Sequence, residues 1–441
     1  MAEIRFCSSL HCVQNLNSGF LYYKYVLNTL LALAKAHLAV YATKANNIHI
    51  NLDINKKRGK MKELGIYIHI PFCKQKCYYC DFVSYANKEE KIQEYVKCLQ
   101  KEIEIESAKY KSEEYEINTI YIGGGTPSFI DASYIANIIN TIKQNYKLNK
   151  NSEITIEINP GTISKEKIEK YREVGINRIS IGLQTTKDNL LRKIGRIHTY
   201  EEFLSCYKLV QKEGFNNINV DLMLGLPNQT LEDLKESLKE IISLQPNHIS
   251  LYSLILEENT KLEKMVSKKE LDLPSEDIER KMYWETKKIL EQNGYIHYEI
   301  SNFSKAGYES KHNLNCWSQK EYLGFGIAAH SYKNNKRYCN TNNIDEYIKN
   351  IQNENIENNR TICEIQNKTE EQKEYMLLGL RKIEGINIQE FKNKFIDNPI
   401  YIFHKELEKL VKEKLIQIDL NQIKLTSKGL DFANLVWKEF I

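Results

Sequence analysis

The chain of 441 residues lacks several features that would assign it to a common class of protein. It has no run of roughly 18 consecutive apolar residues, since Lys24 and Lys35 interrupt the longest candidate, FLYYKYVLNTLLALAKAHLAVYA. We therefore expect no membrane span. Its ten cysteines are scattered apart from one cluster, so they do not form the disulfide framework of a small secreted domain. This cysteine usage favours a reducing, cytoplasmic location.

A strongly basic body is also missing. The formal net charge is +4, but residues 1–60 hold eight of the 62 Lys and Arg and only two of the 58 acidic residues. The other 381 residues therefore hold 54 basic and 56 acidic residues, a net charge of −2. A nucleic-acid-binding protein usually carries a basic stripe over its folded part. We expect no nucleic-acid partner.

Residues 1–60 differ from the rest in charge and in pattern, and Met61 stands directly before the first strand-like run. We interpret them as a non-native extension, with Met61 as the native start. The alternative is an organelle-targeting peptide, because the segment is basic and poor in acidic residues. N-terminal sequencing of the natural protein tests both interpretations, and an intact first residue would exclude them.

Six short β-branched runs alternate with helix-period segments between residues 65 and 255. The runs are GIYIHI, INTIYI, EITIEI, INRISIGL, NINVDLML and HISLYSLI. Strands that alternate with helices indicate parallel α/β architecture. We predict a partial (β/α)6 barrel over 61–260, an α+β extension over 261–360 and a small winged-helix-like module over 361–441. The Asn- and Glu-rich run NIQNENIENNR at 350–360 is interpreted as a solvated linker.

The one cysteine cluster lies in PFCKQKCYYCDF, where Cys73, Cys77 and Cys80 have a C-x3-C-x2-C spacing with no fourth cysteine nearby. The first predicted strand ends at Pro71, so these residues lie where a barrel has its active site. A structural zinc site would require four ligands. An iron–sulfur cubane usually takes four thiolates, and three would leave one iron open. Cluster ligands, zinc ligands and unligated core cysteines all remain open on spacing alone.

The glycine run GGGTPS at 123–128 directly follows the second predicted strand. Glycines allow close approach of a ligand to the backbone and let amide groups donate to an anion. An ordinary strand-to-helix turn is the alternative. The run is neither a P-loop, since it lacks the Gly-Lys pair, nor a dinucleotide fingerprint.

Polar residues recur near the ends of further strands: Glu157, Gln184, Arg196 and Asp221. Each alone fits a surface or salt-bridge residue. Together on one barrel rim they could bind a charged ligand, because carboxylates accept from ammonium or hydroxyl groups and Arg donates to carboxylates.

With these motifs in order, residues 65–255 resemble the radical S-adenosylmethionine (SAM) superfamily. From residue 65 to the C-terminus the chain is similar to the anaerobic coproporphyrinogen III oxidase family, through YIHIPFC, EINPG, GLPNQT, YEISNFSKAGYESKHNLNCW and YLGFGIAAHSY. The resemblance implies that Cys73, Cys77 and Cys80 hold a [4Fe-4S] cluster whose open iron chelates SAM. It implies SAM contacts from Tyr67, Tyr79, Gly124, Gly125, Thr126, Glu157, Gln184, Arg196 and Asp221.

That family contains both porphyrinogen oxidases and heme carriers of the HemW type. The oxidases resemble one another in a fourth cysteine two positions after the third, where this chain has Phe82. They also have a longer N-terminal arm, whereas a chain that starts at Met61 has six residues before Tyr67. Both departures favour the carrier, and we expect no coproporphyrinogen oxidase activity. Oxygen-independent coproporphyrinogen III oxidation, or another radical reaction on a tetrapyrrole, is the alternative.

The segment HNLNCW resembles the HNxxYW pattern of the heme carriers, with His312, Asn313 and Trp317 matched and Cys316 in place of Tyr. The resemblance implies heme binding by His312, Cys316 and Trp317, and His330 is a further candidate. The alternative is a hydrogen-bonded structural histidine. The partners that the resemblance implies are heme and heme-accepting proteins such as respiratory enzymes. It also leaves room for a transient membrane-protein partner and a homodimer.

Overall fold

The computed structural model describes residues 61–110 and 114–441. The predicted extension at 1–60 lies outside the described residues. Among the described helices, none has both the length and the apolar character needed to cross a membrane.

Fifteen strands are present in the described part of the chain. They are β1 (Lys62–Ile70), β2 (Tyr115–Gly124), β3 (Leu148–Ile158), β4 (Arg178–Gln184), β5 (Ile218–Leu224), β6 (His248–Ser253), β7 (Ile296–Glu299), β8 (Asn302–Ser304), β9 (Tyr322–Phe325), β10 (His330–Lys333), β11 (Lys336–Asn340), β12 (Arg360–Ile365), β13 (Ile386–Asn387), β14 (Ile416–Ile418) and β15 (Gln422–Leu425).

Sixteen α-helices accompany them in the same residues. They are α1 (Ile92–Ser107), α2 (Ala132–Asn145), α3 (Lys165–Glu173), α4 (Asp188–Lys193), α5 (Tyr200–Lys212), α6 (Leu231–Ser243), α7 (Lys261–Ser267), α8 (Glu276–Gln292), α9 (Lys311–Trp317), α10 (Ile344–Gln352), α11 (Lys368–Gly379), α12 (Ile388–Phe395), α13 (Pro399–Ile402), α14 (His404–Lys412), α15 (Ser427–Asp431) and α16 (Ala433–Lys438). Short 3-10 helices occupy Glu89–Lys91, Pro127–Phe129 and Ile356–Asn359.

The helices begin where the local sequence supplies a cap. Thr199 and Glu202 form a reciprocal capping box at the start of α5, and Thr230 and Asp233 form another at the start of α6. Each pair satisfies backbone donors that the first helical turn leaves free. These caps fix the residue at which each of the two helices starts.

The six predicted strands form the parallel centre of one sheet, in the order β1 to β6. The predicted α/β fold class is therefore confirmed. The sheet is larger than predicted, because it has twelve strands in the order β12-β11-β10-β9-β1-β2-β3-β4-β5-β6-β8-β7. Strand β9 pairs parallel with β1, and β8 pairs antiparallel with β6. Later segments thus cover both edges of the partial barrel, whose backbone groups would otherwise be unpaired.

Side chains of β1 to β6 alternate between two different environments. Ile66, Ile120, Ile156, Ile181 and Val220 face the helices and belong to the main apolar core. The intervening side chains are polar and face the inside of the partial barrel, among them Thr119, Glu153, Arg178, Asn219 and His248. Because successive strand residues point to opposite faces, one β-branched run supplies both the core and a polar interior.

A second core holds the C-terminal segment together. Met376, Phe391, Leu407, Ile423 and Val436 are among its buried side chains. The three-stranded antiparallel sheet β13-β15-β14 packs with these helices. This arrangement of helices and a β hairpin matches the predicted winged-helix-like module.

The interpretation of residues 350–360 as a solvated linker is wrong. Ile351 and Ile356 are buried, and the side chain of Arg360 is 8% exposed. Its Nη1 lies 2.8 Å from Glu106 Oε2, and its Nη2 lies 4.0 Å from Glu102 Oε1. The polar composition of this run gives no sign of the contact, because the partners of Arg360 are on α1, about 250 residues earlier in the chain.

We predict that Arg360→Leu destabilises the protein by about 3–5 kcal/mol, because it leaves the buried carboxyl group of Glu102 without its cation and leaves Glu106 with Lys109 alone. The midpoint of the first urea unfolding transition measures the effect. Lys101→Ala is the matched control, since its ion pair with Glu354 lies at the surface and should contribute at most about 1 kcal/mol. Equal midpoints for the two variants would contradict the prediction.

Candidate functional site

The three-cysteine segment is a loop that leaves the C-terminal end of β1 and returns to it. Tyr85 N donates to Pro71 O at 2.7 Å, and Cys73 N donates to Tyr85 O at 2.9 Å. These bonds close the segment between residues 71 and 85. The thiols of Cys73, Cys77 and Cys80 are thus held at one end of the barrel.

The glycine run after β2 packs directly against this loop. Gly125 N donates to Ile70 O and Thr126 N donates to Phe72 O, both at 2.8 Å. A Cβ on Gly125 would lie 2.9 Å from Phe72 O and 3.0 Å from Cys73 Sγ, closer than a side chain tolerates. Gly124 has φ +109, and its Cβ would lie 2.7 Å from the His69 ring. The glycines are therefore required by the approach of the cysteine loop itself.

His69 ties the other end of the loop to β1. Its Nε2 lies 2.8 Å from Val83 O, and its Nδ1 lies 3.1 Å from the hydroxyl of Tyr67. Burial lowers the pKa of His69 to about 4. The ring is therefore neutral at pH 7 and serves to position the loop.

The three thiols are close enough to interact but do not form a compact triad. Burial raises the pKa of Cys73, and burial and then Cys77 raise the pKa of Cys80 to about 12. A single tetrahedral zinc ion with Zn–S bonds of about 2.3 Å would bring its sulfurs to about 3.8 Å from one another. In the described residues, the sulfurs of these three cysteines are not all within 4.8 Å of one another.

Arg196 joins the cysteine loop to the neighbouring strands. Its Nη1 lies 3.7 Å from Cys77 Sγ, and its Nη2 donates to Asn159 Oδ1 at 2.8 Å and to Gly182 O. Asn159 in turn donates to Thr126 Oγ1 at 2.9 Å, and Thr126 donates to Cys73 Sγ at 3.5 Å. A continuous chain of polar contacts therefore joins the thiol of Cys77 to the thiol of Cys73.

The predicted rim carboxylates lie deeper in the same barrel end. Tyr121 donates to Glu157 Oε1 at 2.8 Å, and Asp221 accepts from Asn219 at 2.7 Å and from Ser180 at 3.2 Å. Burial, together with the nearby charge of Asp221, raises the pKa of Glu157 to about 7. Glu157 therefore titrates near neutral pH.

The remaining predicted SAM contacts border this end as well. Tyr67 stacks on Tyr121 with the ring centroids 6.4 Å apart. Gln184 adopts φ +80 at a register irregularity between β4 and β5. Tyr79 follows Tyr78, whose backbone is bonded to Ile194 and Leu262. A cavity is lined by Cys77, Thr126, Asn159, Arg196 and His198.

The structure does not bring His312 to this end of the barrel. Its Nδ1 lies 2.9 Å from Thr119 Oγ1, and its backbone amide donates to Glu153 Oε1 at 3.2 Å. Thr119 is five residues before Gly124 on β2, a separation of roughly 17 Å along a strand. His312 is 7% exposed, and burial followed by Arg178 lowers its pKa to about 4. The ring is neutral and lies at the opposite end of the interior.

Cys316 and Trp317 lie on the same short helix, α9. Cys316 is near Arg337 and Tyr322, and burial raises the pKa of its thiol to about 12. Trp317 is buried, and the guanidinium of Arg381 lies 4.2 Å from its ring centroid. Its indole Nε1 is buried without a hydrogen-bond partner. Helix α9 thus joins the barrel interior to the C-terminal segment.

Sequence reasoning missed Asn159 and Tyr121, which bridge the predicted residues. Asn159 contacts both Arg196 and Thr126, and Tyr121 contacts both Glu157 and the His312 ring, whose centroid is 5.2 Å away. Asn159 is part of EINPG and could have been taken from that motif. Tyr121 lies inside an apolar run, and only the strand alternation would have indicated that it faces the interior.

Comparison with known proteins identifies similar families and a similar fold. Residues 67–241 match the Radical SAM superfamily model, and residues 366–432 match the HemN C-terminal domain model. The solved structure of coproporphyrinogen III oxidase HemN from Escherichia coli aligns with a TM-score of 0.75 at 21% identity, covering 87% of this chain and 91% of that one. At this identity the match supports the fold alone.

Curated relatives are more similar in sequence. The heme chaperone HemW of Lactococcus lactis is 38% identical over 86% of this chain and 98% of its own length. The heme chaperone HemW of Bacillus subtilis is 38% identical over 85% of this chain and 98% of its own length. The similarity extends across the barrel and the C-terminal segment, and the chain therefore belongs to the HemW family of the radical SAM superfamily.

Proposed function

We propose that this protein is a heme chaperone that binds heme and transfers it to acceptor proteins, with a [4Fe-4S] cluster on Cys73, Cys77 and Cys80 and exchangeable SAM. The observation that carries the proposal is the near full-length similarity to proteins named heme chaperone HemW. A cytoplasmic location, respiratory enzymes as acceptors, a transient membrane-protein partner and a homodimer stay predictions. The assignments of residues 261–360 as a heme-associated extension and of residues 361–441 as a separate C-terminal module also stay predictions.

The donor set of the cysteine loop fits an iron–sulfur cluster with one open iron. The loop carries three thiols and no fourth cysteine. Phe82 occupies the position of the oxidases' fourth cysteine, and its backbone carbonyl accepts from Lys76 Nζ at 2.8 Å. When bound, such a cluster supplies one-electron redox chemistry and an iron at which the amino and carboxylate groups of SAM can chelate. Three thiols without a fourth cysteine match a cluster that leaves one iron open better than a structural zinc site, which takes four protein ligands.

The surrounding residues fit a zwitterionic ligand with hydroxyl groups. Arg196 Nε is buried without a partner, so it is a donor suited to a carboxylate. Glu157 and Asp221 are acceptors suited to ribose hydroxyls or an ammonium group. Tyr67 and Tyr79 supply aromatic surface beside them. These are the roles that we assign to the chain's own residues.

For heme we propose binding at α9. His312 Nδ1 is engaged by Thr119, and within the described residues its Nε2 makes no hydrogen bond. A neutral imidazole nitrogen is a common axial ligand of heme iron. Because His312 is buried, heme binding there requires α9 to move away from β2. Cys316 would then be a second candidate ligand one helical turn away.

The cofactor proposal predicts a pH dependence of SAM binding. Glu157 is protonated below about pH 7 and ionised above it, and the carboxylate is the stronger acceptor, with both oxygens free of a proton. If only that form binds, its contribution makes SAM about tenfold weaker at pH 6 than at pH 8. Anaerobic titration calorimetry on cluster-loaded protein measures this. Glu157→Gln should have a shallower pH profile, whereas the surface variant Glu169→Gln should match the wild type. Equal profiles for Glu157→Gln and wild type would exclude Glu157 as the titrating contact.

The heme proposal predicts that His312→Ala weakens heme binding about tenfold or more, because it removes the ligating nitrogen. Heme titration followed by visible absorption measures the affinity. His404→Ala is the matched control, since His404 is an exposed histidine on α14. Iron–sulfur absorbance and circular dichroism report whether each variant is folded. A folded His312→Ala protein with wild-type heme affinity would overturn this assignment without affecting the cluster proposal.

The carrier proposal also predicts no oxidative decarboxylation. Cluster-loaded protein would be incubated anaerobically with SAM, a reductant and coproporphyrinogen III, and the porphyrins analysed after oxidation. We expect coproporphyrin alone, because the position of the oxidases' fourth cysteine is occupied by Phe82. Conversion to protoporphyrinogen over multiple turnovers would favour the oxidase alternative.

A further inference from the structure

A second group of soft ligands lies on the edge of the large sheet, away from the cysteine loop. It consists of His330 on β10, Cys339 on β11 and Cys363 on β12. One ligand atom from each residue lies within 4.8 Å of the other two. The sulfurs of Cys339 and Cys363 are 3.3 Å apart. No other His, Cys, Asp or Glu triad within the described residues has this compactness.

The backbone of three neighbouring strands builds this triad. His330 is directly opposite Cys339 in the antiparallel pair β10-β11. The β11-β12 pair has a register irregularity that leaves Cys363 between the pairs Tyr338–Ile362 and Arg337–Glu364. An extra residue of this kind redirects a side chain, and here its thiol lies beside Cys339.

Gly324 fixes the position of His330. A Cβ at Gly324 would lie 2.1 Å from the His330 carbonyl oxygen. Only glycine therefore permits this close approach of the segment that starts β10. Residue 324 must therefore be glycine for the backbone of His330, which supplies the imidazole, to lie in this position.

We propose that His330, Cys339 and Cys363 bind a Zn²⁺ ion through one imidazole nitrogen and two thiolates, with a fourth coordination position open to solvent. Two sulfurs and one nitrogen are a donor set that zinc accepts, and three protein ligands with one open position are typical of an exchangeable or reactive zinc site. Tetrahedral coordination with Zn–S bonds of about 2.3 Å requires sulfurs about 3.8 Å apart. The observed sulfur separation is within a small side-chain adjustment of that value.

The exposure of the triad supports an accessible ion. His330 and Cys363 are exposed and Cys339 is half-buried, so an ion can reach the site without unfolding of the sheet. The cysteine loop differs, because its three sulfurs are more widely separated and Cys73 is buried. The zinc proposal goes beyond the proposed heme function and does not depend on it.

Co²⁺ titration of cluster-loaded protein under argon, with a phosphine reductant, tests the site. Wild-type protein should bind one equivalent of Co²⁺ that Cys339→Ser and Cys363→Ser do not bind. That equivalent should have tetrahedral d–d bands and a thiolate charge-transfer band, and Zn²⁺ should displace it. His330→Ala should weaken the binding while the thiolate band persists, because both sulfurs remain.

Cys98→Ala is the matched control, because it removes one thiol from α1 at a distance from the triad and should retain the extra equivalent. Circular dichroism identifies any variant that fails to fold. Since Cys339 and Cys363 could instead form a cross-strand disulfide, the reduced state of both thiols is verified by mass spectrometry before titration. If fully reduced wild-type protein binds no more Co²⁺ than folded Cys339→Ser and Cys363→Ser, the zinc site is wrong.

Discussion

The close backbone contact between the end of β1 and the glycine run after β2 is the constraint on which the candidate site depends. Two amides, of Gly125 and Thr126, donate to carbonyls at the start of the cysteine loop. This contact is possible only because residue 125 has no Cβ. Tyr85 anchors the far side of the loop, because its amide donates to Pro71 O and its carbonyl accepts from Cys73 N. The loop is therefore held on both sides. The cysteines are therefore presented by backbone geometry, and their side chains remain available as ligands.

The polar chain through Arg196, Asn159 and Thr126 extends that constraint to the chemistry. It begins at Cys77 and ends at Cys73. Burial raises the pKa of Cys73 and of Cys80 and so disfavours their thiolate forms. Coordination of a metal would favour the thiolate instead.

Much of the fold was predictable because the β-branched runs are long and are separated by helix-period segments. All six central strands were found, and their C-terminal ends correctly indicated where the cysteine loop lies. Strand β9 was missed because Tyr322–Phe325 is short and contains glycine, so it has no clear alternation. The ion pair of Arg360 was missed because its partners are distant in sequence. The triad at the sheet edge could not be predicted, since it depends on a register irregularity that spacing does not encode.

The placement of His312 has the same kind of explanation and a further consequence. Its motif fixes a helix, but only the fold determines which end of the barrel that helix meets. One side chain, Tyr121, touches both ends: its hydroxyl donates to Glu157, and its ring lies beside His312. If heme binding displaces α9, the Tyr121 ring loses its contact with His312. Its hydroxyl still donates to Glu157, the side chain that we propose contacts SAM. Any resulting coupling must be reciprocal, so SAM would change heme affinity by the same factor as heme changes SAM affinity. If both ligands bind as proposed, Tyr121 is the side chain through which SAM binding beside Glu157 and heme binding at His312 would affect each other.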